Sequence, residues 1–175
     1  ERVQLRSDSV SNNRLLFVQT SSGAYIRDLA SRTHTILNGR VVREAPLRDG
    51  DTLTIGAFIF KYRVPEGFEP QPRVAPEAAS LDAGAEFPLP LETRTVLIGR
   101  RRGCDVVLED ESVSISHAVI FESDGHHYIM DLASRTGTFV NGERVRESPL
   151  KIGDEIRIGE SAIWYRAADA INLLE

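Results

Sequence analysis

Short stretches rich in β-branched and aromatic residues, separated by turn dipeptides, run along most of the chain. Within 155–158 the order Glu-Ile-Arg-Ile alternates polar and apolar side chains, which is the period of a strand with one buried face. Dipeptides such as Asn141-Gly142 and Gly153-Asp154 favour the positive φ values of hairpin turns. No amphipathic helix of ordinary length is evident. The pattern predicts an all-β chain of antiparallel sandwiches, with strands at 15–18, 25–26, 52–55, 58–62, 96–98, 118–121, 128–130, 155–158 and 162–165.

The chain also contains an internal repeat. Residues 9–63 align with residues 112–166 without a gap, at an offset of 103, and 25 of those 55 positions are identical. The run Asp-Leu-Ala-Ser-Arg-Thr occurs at both 28–33 and 131–136. A period this long predicts two domains and not a solenoid, whose repeats span about 20–50 residues.

The segment between the two copies is rich in Pro, Ala and Glu and has few large apolar side chains. Such a composition favours an extended linker, because it buries too little apolar surface to offset the loss of chain entropy. We therefore expect a first domain at 1–64, a linker at 65–86, a second domain at 87–168 and a tail at 169–175.

Composition excludes several classes of function. A net charge of −5 and a pI near 5.5 argue against binding to nucleic acid or an anionic membrane, both of which need a basic surface. The lone Cys104 cannot form an internal disulfide, and no apolar run reaches the roughly 18 residues of a membrane span. We expect a cytoplasmic protein that needs no cofactor and no metal.

Four motifs follow one another in the second copy: Gly99-Arg100, Ser114-x-x-His117, Ser134-Arg-Thr-Gly-Thr138 and Asn141-Gly142. Each is weak alone, but the ordered set resembles the forkhead-associated (FHA) family from Gly99 to Gly159. The first copy resembles the later part of the same pattern, from Ser11 to Gly56. The resemblance implies a β-sandwich in each copy, whose loops at one end hold a phosphothreonine peptide.

A phosphothreonine carries about −1.5 to −2 charges and three acceptor oxygens, so its site needs fixed donors and a permanent cation. From the resemblance, Arg100 is the leading phosphate ligand, because a guanidinium is a planar and always-protonated donor. Ser114 adds a hydroxyl donor, and Arg135 can reach the phosphate or a neighbouring acidic residue. Thr136 replaces the usual asparagine of the family and is shorter, and Gly137 leaves room for the ligand.

The resemblance gives His117 an architectural role, in which it braces the loop that presents Ser114. Gly99, Asn141 and Gly142 are likewise assigned structural roles, as residues that shape the loops. Arg101 and Arg102 extend the basic run, either as a solvated turn or as ligand contacts, and both interpretations stay open. Ile115 departs from the family, where a polar residue often follows the serine.

The first copy offers Ser11, Asn12, Arg32 and Thr33 as candidate ligand contacts. The positions equivalent to Gly99 and Arg100 would precede residue 1, so we expect this copy to lack its N-terminal strands in this chain. Arg14 replaces the bracing histidine, and His34 replaces the glycine. Phosphopeptide binding and a structural or dimerisation role therefore stay open as alternatives for the first copy.

A Ser114 or Ser116, His117 and Asp131 triad is disfavoured, because the first copy has Arg14 in place of the histidine. A metal site at His126-His127 is disfavoured too, since adjacent strand residues point to opposite faces. The sequence predicts a non-catalytic module that binds a phosphothreonine protein and mediates phosphorylation-dependent interactions in signalling, with the second copy as the favoured site. The alternative is a structural or self-associating scaffold in which one or both copies no longer bind phosphate.

Overall fold

In the computed structural model, residues 15–84 and 88–168 are described. The candidate residues Ser11 and Asn12 lie outside these ranges. The chain forms two compact units, Glu1–Arg73 and Val74–Glu175. All regular structure in the described residues is β-strand, as the sequence pattern predicts, and no helix among them is long and apolar enough to cross a membrane.

The strands of the first unit are β1 (Leu15–Thr20), β2 (Gly23–Asp28), β3 (Thr35–Leu37), β4 (Arg40–Val42), β5 (Glu44–Leu47), β6 (Thr52–Ile55) and β7 (Phe58–Lys61). They form two antiparallel sheets, in the orders β1-β2-β5 and β4-β3-β6-β7. Ile26 from the first sheet and Leu53 and Ile55 from the second belong to one buried cluster. The alternation of buried and exposed positions in β1 and β6 places one face of each strand against this core.

The second unit contains β8 (Ala79–Asp82), β9 (Leu89–Pro90), β10 (Thr95–Gly99), β11 (Val106–Val107), β12 (Ala118–Ser123), β13 (His126–Asp131), β14 (Thr138–Val140), β15 (Glu143–Val145), β16 (Glu147–Pro149), β17 (Glu155–Ile158) and β18 (Ser161–Ala167). One sheet has the order β11-β10-β12-β13-β16 and the other β15-β14-β17-β18-β8-β9. Ile120 and Ile129 from the first sheet join Ile156 and Ile163 from the second in a single core, and each of these side chains is at most 1% exposed. The unit is therefore a two-sheet β-sandwich.

The internal repeat extends to the strand register. Strands β1 to β4 begin and end 103 positions before β12 to β15, and β6 stands in the same relation to β17. Tyr25 pairs with Pro46 in the first unit, and Tyr128 pairs with Pro149 in the second. The two copies therefore share hairpin lengths as well as residues.

The structure corrects the expected linker at 65–86. Ala79–Asp82 forms β8, which pairs with β18 in the second sandwich, and the two units divide between Arg73 and Val74. Ala79 and Leu81 are each 2% exposed and add to the core of the second unit. The composition did not reveal this strand, because it has only two apolar side chains in a surrounding rich in Pro and Ala.

The repeated Asp-Leu-Ala-Ser-Arg-Thr run forms the same hydrogen-bonded loop in both units. The Asp131 carboxylate accepts bonds from the Ser134 N–H (3.0 Å), the Ser134 hydroxyl and the Thr138 hydroxyl (2.8 Å). Asp28 accepts the equivalent bonds from Ser31 and Thr35. Each loop also contains an alanine in the left-handed region, with φ of 56° at Ala30 and 55° at Ala133. Three bonds to one carboxylate hold this uncommon backbone conformation in place.

Among the polar residues buried in the second unit is a histidine–tyrosine pair. His127 is 4% exposed, and its Nδ1 shares a 2.8 Å hydrogen bond with the Tyr165 hydroxyl. Burial lowers the pKa of His127, against a smaller opposing effect of Glu122, and so favours the neutral ring. Burial, with the nearby charges of Glu77 and Asp154, raises the pKa of Tyr165 to about 12.

We expect acidification to destabilise the second unit through His127. Its pKa is lower in the folded state than the unfolded value of 6.5, so the unfolded chain binds more protons as the pH falls below that value. The free energy of unfolding should decrease from pH 7 to pH 5, measured by urea titration with the fluorescence of the only tryptophan, Trp164, which lies in this unit. His127→Gln should lose part of this pH dependence, whereas a variant of its exposed neighbour, His126→Gln, should keep it. Equal pH dependence in both variants would contradict the assignment.

We also expect Asp131→Ala to destabilise the second unit by about 2–4 kcal/mol, since three donors lose a charged acceptor. The same urea titration gives the value, and the exposed Glu143→Ala serves as a control for loss of one carboxylate. If both variants unfold at the same urea concentration, the carboxylate does not hold the loop.

Candidate functional site

The candidate site lies where three connections of the second unit meet: the end of β10, the loop between β11 and β12, and the loop between β13 and β14. A cleft of about 350 Å³ opens there. It is lined by Arg100, Glu111, Val113, Ser114, Ile115, Ser116 and Arg135. The structure therefore brings together Arg100, Ser114 and Arg135, which the sequence analysis placed in one site, while Thr136 and Gly137 follow on the same loop outside the cleft lining.

Arg100 follows directly after β10, and hydrogen bonds hold both its backbone and its side chain in place. Its backbone N–H donates to the Ser114 carbonyl at 3.0 Å, and its Nε donates to the Val113 carbonyl at 3.2 Å. No carboxylate in the described residues forms an ion pair with this guanidinium. Its two terminal nitrogens are thus left for a ligand at the cleft.

Gly99, just before Arg100, is required by close packing and not by an unusual φ. A Cβ at this position would collide with the carbonyl oxygen of Ile115 and lie 3.0 Å from the Cys104 sulfur. Any other residue at position 99 would therefore push the Ser114 loop away from the Arg100 strand end. By contrast, Asn141 and Gly142 have positive φ values of 50° and 81°, which are typical of a two-residue hairpin turn.

Ser114 and Arg135 connect the two loops across the cleft. The Arg135 backbone N–H donates to the Ser114 hydroxyl oxygen at 3.0 Å, and its Nη2 donates to the Glu111 carbonyl at 2.6 Å. The Thr136 hydroxyl donates to the Ser112 carbonyl at 2.9 Å. The Ser114 hydroxyl hydrogen stays available for a ligand, because its oxygen acts as acceptor toward Arg135.

His117 is fully buried beneath these loops and contacts both of them. Its Nδ1 accepts the Ser114 backbone N–H at 3.1 Å, so the other nitrogen, Nε2, carries the proton and donates to the Gly137 carbonyl at 2.8 Å. Both ring nitrogens are occupied by backbone groups. His117 is consequently not available as a base for Ser114 or Ser116, and Asp131 lies 4.0 Å from Nε2.

Asp110 anchors the far end of the Ser114 loop. Its carboxylate accepts the Glu160 N–H at 2.8 Å and also accepts the Ser112 hydroxyl and N–H. The Glu160 backbone bond, followed by the two Ser112 bonds, lowers the pKa of Asp110 below its usual value. The carboxylate therefore keeps its charge and ties this loop to the β17–β18 turn.

Four features of the site escaped the sequence analysis. Glu111 and Val113 line the cleft but belong to no motif, and Ser116 was considered only for catalysis. Arg144, on β15, packs against Gly137, and no motif marks it. A comparison of the two copies could have drawn attention to Arg144, because the equivalent position in the first copy is Val41.

The first copy has an equivalent loop at residues 32–34. Arg32, Thr33 and His34 are exposed on the loop equivalent to 135–137, and His34 has a left-handed φ of 57°. The strands that flank this loop match those of the second unit, and so does its Asp28 network. The candidates Ser11 and Asn12 lie outside the described residues.

Among the described residues no group of three or more His, Cys, Asp or Glu side chains could hold a metal ion. The adjacent histidines considered above have different surroundings, since His126 is exposed and His127 is buried.

Comparison with proteins of known function gives several similar chains. The chain is 37% identical over 89 residues to the oxoglutarate dehydrogenase inhibitor of Corynebacterium efficiens, covering 51% of this chain and 61% of that protein. It is 37% identical over 84 residues to the glycogen accumulation regulator GarA of Mycolicibacterium smegmatis, covering 48% and 52%. It is 41% identical over 78 residues to the transcriptional regulatory protein EmbR of Mycobacterium tuberculosis, covering 44% and 20%. The chain thus spans at most about three fifths of these curated relatives.

The fold also resembles that of solved structures, among them the following two. Mycobacterium tuberculosis EmbR in complex with a low-affinity phosphopeptide gives a TM-score of 0.51 at 33% identity, covering 55% of this chain and 26% of that one. The FHA domain of an Arabidopsis thaliana hypothetical protein gives a TM-score of 0.50 at 24% identity, covering 59% and 97%, which supports the fold alone.

The family model for the FHA domain matches in two segments, residues 1–56 and 96–159. These segments correspond to the two copies of the internal repeat, and together they take in more than half of the chain. With the sandwich fold and the loops described above, they show that this chain belongs to the FHA domain family.

Proposed function

We propose that the second unit is a non-catalytic module that binds a phosphothreonine peptide through Arg100, Ser114 and Arg135. The observation that carries the proposal is the convergence of two guanidinium groups on one cleft, neither of them paired with a carboxylate in the described part of the chain. Such an arrangement suits a ligand with a double negative charge. The similar EmbR structure holds a phosphopeptide, which supports the same ligand class here.

In this proposal Arg100 and the Ser114 hydroxyl hold the phosphate. Arg135 adds a second cation from the facing loop. Thr136 and Gly137 shape the edge of the site, and Gly99, His117, Asn141 and Gly142 set the positions of the loops. Binding would mediate phosphorylation-dependent association with a partner protein. A cytoplasmic location, self-association and the absence of nucleic-acid or membrane binding stay predictions from the sequence.

For the first copy we infer a weaker site or a structural role. Arg32 and Thr33 occupy equivalent loop positions, but no glycine follows them. The Asp28 network preserves the loop shape independently of any ligand, so the repeated run alone does not indicate a second binding site.

Arg100→Ala should weaken binding of a degenerate phosphothreonine peptide library about ten- to hundredfold, because charge-assisted bonds contribute roughly 1.5–3 kcal/mol. Fluorescence anisotropy measures the loss, with Arg157→Ala, outside the cleft lining, as a control for the change in net charge. Dephosphorylated peptide should bind at least about tenfold more weakly than phosphopeptide. Phosphoserine and phosphotyrosine libraries test selectivity, and an equal response to all three would refute a preference for threonine.

If a partner protein bound equally well to wild type and Arg100→Ala, the scaffold alternative would replace the proposal.

The number of binding sites separates the two copies. Calorimetric titration of the whole chain with a tight phosphothreonine peptide should give about one site per chain, whose affinity Arg100→Ala lowers and Arg32→Ala leaves unchanged. Two sites of comparable affinity, one of them lost in Arg32→Ala, would show that the first copy binds as well.

A further inference from the structure

A third arginine, Arg144, lies beside the proposed peptide site. Gly137 has a φ of 90°, and a Cβ at this position would lie 2.7 Å from Nε and 3.1 Å from Cζ of Arg144. The space over Gly137 is therefore filled by the guanidinium of Arg144, although the sequence analysis expected this glycine to leave room for the ligand. Arg144 reaches the loop from β15, where it pairs with Phe139 of β14.

The guanidinium of Arg144 is exposed and uncompensated. Within residues 15–84 and 88–168 it forms neither a hydrogen bond nor an ion pair. Arg157 lies on the other side of Phe139 in the same sheet and differs in this respect, since its Nη2 contacts Glu155 at 3.1 Å. A guanidinium that packs on a ligand loop without an acidic partner retains its full capacity to bind a carboxylate.

The internal repeat shows that this arrangement belongs to the second unit alone. The six residues before Gly137 and the threonine after it are identical in both copies, yet Gly137 corresponds to His34 and Arg144 to Val41. Val41 is 65% exposed, so no core requirement explains the apolar residue there. The two differences are physically consistent, because the unit that has Arg144 also has Gly137, which leaves space for the guanidinium.

We propose that Arg144 is a specificity-determining residue, which selects peptides with an acidic side chain close to the phosphothreonine. This inference rests on the proposed function of the same site. Arg135 lines the cleft, and Gly137 follows it by two residues, so their Cα atoms are at most about 7.6 Å apart. Since an extended peptide advances about 3.3–3.6 Å per residue, the acidic side chain lies within about four residues of the phosphothreonine.

The test compares phosphothreonine peptides that differ by one glutamate, moved through the four positions on either side of an alanine-flanked phosphothreonine. At one or two of these positions wild type should bind the glutamate peptide about two- to fivefold more tightly than the alanine peptide, the range expected for an exposed ion pair. Arg144→Ala should remove that preference while keeping its affinity for the alanine peptide. Arg157→Ala loses the same charge from the same sheet and should keep the preference.

Two further variants make the test specific to charge and position. Arg144→Glu should reverse the preference, so that lysine at the selected position binds more tightly than glutamate. Gly137→Ala should weaken the preference with Arg144 still present, because the added methyl group displaces the guanidinium and a side chain at a φ of 90° strains the loop. Raising the salt concentration should reduce the preference in wild type. Trp164 fluorescence melts verify that each variant is folded.

The outcomes are distinguishable. If wild type binds no phosphothreonine peptide, the proposed function fails, and this inference falls with it. If wild type binds but shows no glutamate preference, or Arg144→Ala keeps that preference, only the inference is overturned. If Arg144→Ala weakens glutamate and alanine peptides equally, Arg144 merely supports the loop, which overturns its role in specificity.

Discussion

The candidate site of the second unit depends on one buried imidazole, that of His117. His117 joins the two facing loops through a bond on each ring nitrogen, and its own backbone N–H and carbonyl bind Ile98 and Leu132. Four bonds from one residue thus fix the end of β10, the Ser114 loop and the Arg135 loop relative to one another. Because the Nδ1 lone pair must accept a backbone N–H, the ring has to be neutral, and the geometry of a strongly charged site is set by an uncharged group.

The two aspartate networks also hold loops in position, and they explain the longest identical run in the repeat. Asp28 and Asp131 each hold a loop whose alanine adopts a left-handed backbone, so the identity reflects the requirements of the turn. A residue difference later in that loop then changes the side chain at one position, while the backbone there keeps a positive φ. His34 and Gly137 occupy the same kind of backbone position, but only the glycine admits a guanidinium from the neighbouring hairpin.

Much of the fold was predictable from the sequence, because strands such as β6 and β17 alternate polar and apolar residues and contain β-branched side chains. The three-residue strands β3 and β14, and β8 within the expected linker, were missed since so few residues carry too little pattern. At the candidate site, the ordered motifs predicted that Arg100, Ser114 and Arg135 lie together, and all three line the cleft. Arg144 could not be found in this way, because its contact with Gly137 depends on the register between β14 and β15, which no local motif encodes.

The constant spacing between the two copies also has a genetic consequence. Since the strands from β1 to β4 and their counterparts differ by a fixed 103 positions, a coding segment for any of these hairpins can be exchanged between the copies without insertion or deletion. Gly137 and Arg144 are only seven residues apart, so a short conversion tract transfers both together. Duplication thus keeps two versions of the same loop within one reading frame, and a segment can pass from one to the other.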